Sequence, residues 1–260
     1  WRIAAATGSA SAIADGPFLD FEMSPDGQYA ALLLDGPLLP PPAAGTAAEV
    51  RRARGLQIVS LADRTRVAPP EAADISTSLL AWSPASDALL VATIAPDPAR
   101  LLTVTPAGVI RDVTPPGLAP TIPIDFQGMP TAEGGWLGDR PLFKGRSGST
   151  EGWFIAGADA HPLSGLGAGA RLVAEGRSSV LFSSGGDIVR LESGGRQTAL
   201  GRAGSAPPGP QSAGADASVW IGAVKRGSPM FCAFREPAVG RSSGASTRNL
   251  SGSRWPLRDG

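Results

Sequence analysis

A turn of small residues followed by a run of apolar residues recurs along this chain, and it is the feature that most constrains the fold. Residues 23 to 36 read "MSPDGQYAALLLDG": Pro25, Asp26 and Gly27 suit a tight reversal, and "QYAALLL" can then enter a buried strand. The strand before it, "FLDFEM", is the expected partner. Residues 81 to 94, "AWSPASDALLVATI", repeat the pattern with an aromatic, a Ser-Pro turn and a β-rich run. Weaker copies follow at "GGWLGDRPLFKG" (134 to 145), "LVAEGRSSVLFSS" (172 to 184) and "GADASVWIGAV" (214 to 224). With Gly27, Ser86, Gly138, Gly176 and Asp216 as markers, the spacings are 59, 52, 38 and 40 residues.

The last two spacings match one four-stranded propeller blade of roughly 40 to 45 residues. The first is lengthened by "GPLLPPPAAGTAAEVRRARG" (36 to 55), which reads as a loop insertion with one helical turn. Between the markers lie the second hairpins that a blade requires. They are "LQIVSLADRTRVAP" (56 to 69), "RLLTVTPAGVIRDVTP" (100 to 115), "GWFIAGADAHPL" (152 to 163) and "DIVRLESGGRQTAL" (187 to 200). A fifth centres on "PMFCAF" (229 to 234) and passes into a polar segment. One four-stranded sheet cannot cover both of its faces, so blades stack radially and each covers the next. A β-sandwich also turns every few residues, but the near-constant 38 to 40 spacing favours the propeller. The expectation is an all-β chain with a β-propeller of about five four-stranded blades, partial or open, over residues 1–253.

Composition fits this reading. The 34 glycines and 25 prolines make 59 of 260 residues, which suits turn-dense β structure far better than helices. Acidic and basic residues balance at 23 each, so the chain lacks the basic footprint that a nucleic-acid partner requires. No stretch approaches the length of a membrane-spanning helix. A single cysteine, Cys232, excludes an internal disulfide and reads as a small core residue between Phe231 and Phe234.

The quoted blades, "SPDGQYAALLL" and "WSPASDALLVATI" with the intervening "LQIVSLADRTRV", resemble those of the amino-terminal propeller of prolyl-oligopeptidase-like serine peptidases. That group includes lasso-peptide isopeptidases and dipeptidyl peptidases. TolB-type translocation proteins carry similar Ser-Pro-Asp-Gly hairpins. The closing "RWPLRDG" (254 to 260) is similar to the strand and turn that lead from such a propeller into an α/β-hydrolase domain. The resemblance implies a propeller that admits peptides and excludes folded proteins, partnered by a hydrolase domain beyond residue 260. It also implies that this chain is not catalytic by itself. A stand-alone TolB-like interaction propeller is the alternative, and an independent propeller enzyme such as a lactonase or glycosidase is the third. A bacterial periplasmic or exported location is expected, with the cytoplasm as alternative.

The chain offers little chemistry of its own. "GRSSG" (240 to 244), centred on Ser242, has the Gly-x-Ser-x-Gly form, but no apolar helical period and no histidine follow it. His161 in "GADAHPLSG" stands alone, without Cys, Asp or Glu at ligand spacing. "GLGAGA" (165 to 170) matches a dinucleotide fingerprint, yet a strand-like "RLVAEG" follows where a helix is needed, so it reads as a blade connection. "NLS" (249 to 251) has the form of a glycosylation acceptor. Asp26, Asp87, Asp139 and Asp216 sit at turn positions and are turn formers, in place of the inward carboxylates a propeller enzyme would need. Trp82, Trp136, Trp153 and Trp220 are expected to pack between blades, and Trp1 and Trp255 against further portions of a parent protein. No residue is assigned a catalytic, cofactor-binding or metal-binding role.

Overall fold

A computed structural model describes residues 2–3, 10–12, 18–38, 52–69, 74–94, 98–124, 129–157, 160, 162–202, 219–225 and 228–234. Every regular element among them is a strand. The first blade is β3 (Phe18–Met23), β4 (Tyr29–Leu38), β5 (Arg52–Ser60) and β6 (Arg66–Val67), following the short pair β1 (Arg2–Ile3) and β2 (Ala10–Ser11). The second is β7 (Ile75–Trp82), β8 (Leu89–Thr93), β9 (Leu101–Val104) and β10 (Ile110–Asp112). The third holds β11 (Ala119–Pro120), β12 (Gly134–Leu137), β13 (Arg140–Ser147) and β14 (Thr150–Ile155). The fourth is β15 (Arg171–Glu175), β16 (Ser179–Ser184), β17 (Asp187–Glu192) and β18 (Gln197–Arg202). A last hairpin joins β19 (Val219–Lys225) to β20 (Ser228–Phe234). The chain is an all-β propeller.

The strands form because their apolar runs can be buried on both faces. In β8, "LLVAT", all five residues are buried. Leu89 and Val91 pack toward the first blade with Ala31, Leu33, Leu56 and Ile58, while Leu90 and Ala92 pack toward the third with Trp136, Phe143 and Phe154. The same division separates Leu142 and Trp153, which join Val180, Phe182 and Leu191 of the fourth blade, from Phe143 and Phe154. Each of these three apolar layers is therefore shared by two successive blades, and burying one such large side chain contributes about 1.5–3 kcal/mol. This is why the blades cannot stand singly.

The Ser-Pro turns are alike in detail. Gly27 N–H donates to the Ser24 carbonyl and Ser86 N–H to the Ser83 carbonyl, both at 2.8 Å, with φ of 68° and 63°. In each turn the serine hydroxyl donates to the turn aspartate at 2.6 Å, Ser24 to Asp26 and Ser83 to Asp87. The same hydroxyls accept from the backbone beyond, at Tyr29 N–H and Ala88 N–H. Asp26 and Asp87 are thus turn formers. Asp139 is exposed in the β12–β13 turn, and Asp216 lies outside the described residues.

Three expectations need correction or refinement. In the stretch 152–163, β14 begins at Thr150, and among the described residues the chain returns along its outer edge as an isolated antiparallel bridge, Phe154 to Pro162, with Leu163 N–H donating to the Trp153 carbonyl at 2.8 Å, where a full second strand was expected. Pro162 has no N–H to extend a ladder. The insertion is narrower than 36–55, because β4 and β5 pair as far as Leu38 and Arg52, and the proposed helical turn falls outside the described residues. The "SVWIGAV" and "PMFCAF" segments pair with each other, in register from Val219–Phe234 to Lys225–Ser228, where separate hairpins were expected.

Candidate functional site

The first strands of the four blades, β3, β7, β12 and β15, lie in succession against one another. The tryptophans expected between blades tie them together. Trp82 donates its indole N–H to the Glu22 carbonyl at 3.2 Å and stacks on Tyr29 at 6.0 Å. One blade further on, Trp136 donates to the Ala81 carbonyl at 2.8 Å. Trp153 donates to the Ala170 carbonyl at 2.9 Å and meets Phe182 edge-on at 4.8 Å. These three rings are structural, not a stacking platform for a ligand.

Glu175, at the end of β15, accepts the Trp136 backbone N–H at 2.8 Å, which links the third and fourth blades. Gly135 permits that approach, since a Cβ there would collide with the Glu175 carboxylate. Burial pushes the Glu175 carboxyl up to about 7; the Trp136 N–H pulls it down, and the negative charge of Glu22 adds to the rise. Glu22 belongs to the first blade and Glu175 to the fourth.

β3 is unlike the other innermost strands. All six of its residues are exposed, including Phe18, Leu19, Phe21 and Met23. Its carboxylates are only partly open: burial raises both Asp20 and Glu22, and Asp20 raises Glu22 further. By contrast, Lys144 sits 3.7 Å from both Glu133 and Glu151, and the buried Arg54 sits 3.7 Å from Asp74, so those charges are compensated. No group of three or more His, Cys, Asp or Glu suited to a metal ion occurs among the described residues, and no helix there could cross a membrane.

Sequence reasoning did not single out Asp20, Glu22 or Glu175. The signal for the first two was two acids at i and i+2 in "FLDFEM", which puts both on one face of a strand. Glu175 carried no such signal, because its partner, the Trp136 N–H, is distant in sequence. "GLGAGA" is an ordered connection into β15, with Leu166 and Ala170 buried, and is not followed by a helix. Cys232 and Trp220 lie on β20 and β19, opposite Ile221 and Ala233. His161, Ser242, Trp1, Trp255, residues 249–251 and residues 254–260 lie outside the described residues.

No protein-family model matches the chain, and no curated protein matches it. Among solved structures, TolB from Acinetobacter baumannii is similar with a TM-score of 0.52 at 10% identity, over 85% of this chain and 52% of that one. A prolyl endopeptidase is similar with a TM-score of 0.50 at 15% identity, over 83% of this chain and 32% of that one. The chain thus spans about half the length of the first and a third of the second. At these identities the likeness establishes the propeller fold.

Proposed function

We propose that this chain is the substrate-gating propeller of a prolyl-oligopeptidase-like serine peptidase, acting on peptides and contributing no catalytic residue itself. The observation that carries the reading is the succession of innermost strands β3, β7, β12 and β15, with β3 presenting open side chains. Such an arrangement can select an extended chain by size and side-chain character. The likeness to a prolyl endopeptidase and the sequence resemblance of the Ser-Pro blades support it. A lasso-peptide isopeptidase is the finer assignment within that group, in a bacterial periplasm or outside the cell.

The test is the mass of the native protein, detected with an antibody against this chain, combined with labelling by a serine-directed fluorophosphonate. The reading expects a labelled species far heavier than 26.4 kDa. An unlabelled species at 26.4 kDa would refute it and leave the second reading, a stand-alone interaction propeller. The likeness to TolB supports that second reading.

A further inference from the structure

One buried cation is poorly matched by what surrounds it. Arg54 on β5 is 8% exposed. Its Nη1 lies 3.7 Å from Asp74 Oδ1, close enough for an ion pair and too far for a hydrogen bond. Its Nη2 donates to the Met129 sulfur at 3.9 Å, and a thioether is a weak acceptor. The Nε–H has no acceptor among the described residues. Hydrogen bonds from a charged donor are the strong ones, and leaving them half-made in the interior is costly.

Three blades meet at this guanidinium. Arg54 belongs to the first, Asp74 immediately precedes β7 of the second, and Met129 lies between β11 and β12 of the third. Backbone contacts hold the last two in place. The Asp74 carbonyl accepts the Ile94 N–H at 2.8 Å, and Pro130, next to Met129, offers its carbonyl to the Thr77 N–H and hydroxyl at 2.9 and 3.0 Å. What can change is the sulfur. Met129 is half-buried, so a small oxidant can reach it. Asp74 already supplies a counter-charge, and the acceptor that suits the remaining donors is therefore a strong but neutral oxygen. A sulfoxide is such an acceptor, because its S–O bond is polar and carries no net charge.

We infer that Met129 is a redox-responsive site, oxidised by hydrogen peroxide to a sulfoxide whose oxygen Arg54 binds. In that step Met129 Sδ attacks one peroxide oxygen. An S–O bond forms, the O–O bond breaks, the sulfur gives up two electrons, and the second oxygen leaves as water. Of the two sulfoxide epimers, the one that fits directs its oxygen toward Nη2 and Nε. Oxidation of a packed methionine ordinarily disrupts its surroundings; here it ties the first three blades more firmly together. The inference is independent of the peptidase reading.

The test treats the full chain and its Met129→Leu variant with dilute hydrogen peroxide and follows both by calorimetry. Tryptic peptide mapping reads the modification directly, because residues 112–144 form one peptide with Met129 as its only methionine. Met23 and Met230 are present in both proteins, so the difference between the two isolates Met129. The expected result is one oxygen on Met129 and a Tm raised by about 2–4 °C in the parent relative to the change in Met129→Leu. Arg54→Lys keeps a charge beside Asp74 and loses the planar fork, so it should abolish the gain. Met129→Gln places a neutral oxygen on a side chain of similar length and should raise Tm without peroxide, which decides the matter if Arg54→Lys fails to fold. An unmodified Met129 under conditions that oxidise Met23 would overturn the inference. So would an oxidised Met129 that leaves Tm unchanged or lowers it, or a gain that persists in Arg54→Lys.

Discussion

Replacing Ser86 separates two opposing contributions in one turn. Ser86 takes the position that Gly27 holds in the first Ser-Pro turn, and it does so with a left-handed φ of 63°. For a residue with a Cβ that conformation costs about 1 kcal/mol. Ser86 is nonetheless 5% exposed and its hydroxyl accepts the Asp26 backbone N–H at 3.1 Å, joining the turns of the first and second blades. Such a bond contributes about 1 kcal/mol. Ser86→Ala keeps the strain and loses the bond, so it should destabilise by about 1 kcal/mol. Ser86→Gly loses the same bond and relieves the strain, so it should come out near zero. For a chain of this size 1 kcal/mol moves Tm by about 2–4 °C. Calorimetry at pH 7 should therefore rank parent and glycine variant together and the alanine variant below. Equal losses for both variants would refute the strain; an alanine variant as stable as the parent would refute the inter-blade bond.

Two further outcomes follow from the inter-blade contacts. Between the ordinary glutamate value of 4.5 and about 7, the folded chain binds more protons at Glu175 than the unfolded chain, so stability falls as pH rises through that window and levels off above it. The full effect is at most about 3 kcal/mol. Glu175→Gln keeps an oxygen for the Trp136 N–H and removes the charge: its Tm should equal the parent's at pH 4 and exceed it at pH 8, and parallel pH curves would refute the assignment. Trp153→Phe removes a buried donor and leaves the Ala170 carbonyl unpaired beside a small void. It should cost about 2–4 kcal/mol, read as a lower urea midpoint at unchanged m-value, and a loss under about 1 kcal/mol would count against the contact.

How much of this was legible beforehand depended on range in sequence. The Ser-Pro turns and the hairpins at "FLDFEM" and "LLTVTPAGVIRD" were readable because each hydrogen bond closes within a few residues. Continuous apolar runs such as "LLVAT" announced burial on two faces, which is the condition for stacked blades. By itself, then, the sequence determined that the chain is all-β and built of repeated hairpins, and that several of its aspartates serve turns. The tertiary structure decided what depends on neighbours distant in the chain. Pro162 could end the third blade's outer edge with a single bridge only once its partner, Phe154, was defined. The left-handed Ser86 is held from the preceding blade by Asp26. Glu175 meets the Trp136 N–H of the preceding blade because stacking brings β12 and β15 together, and a buried carboxylate's partners are set by burial and distance, which no local pattern encodes.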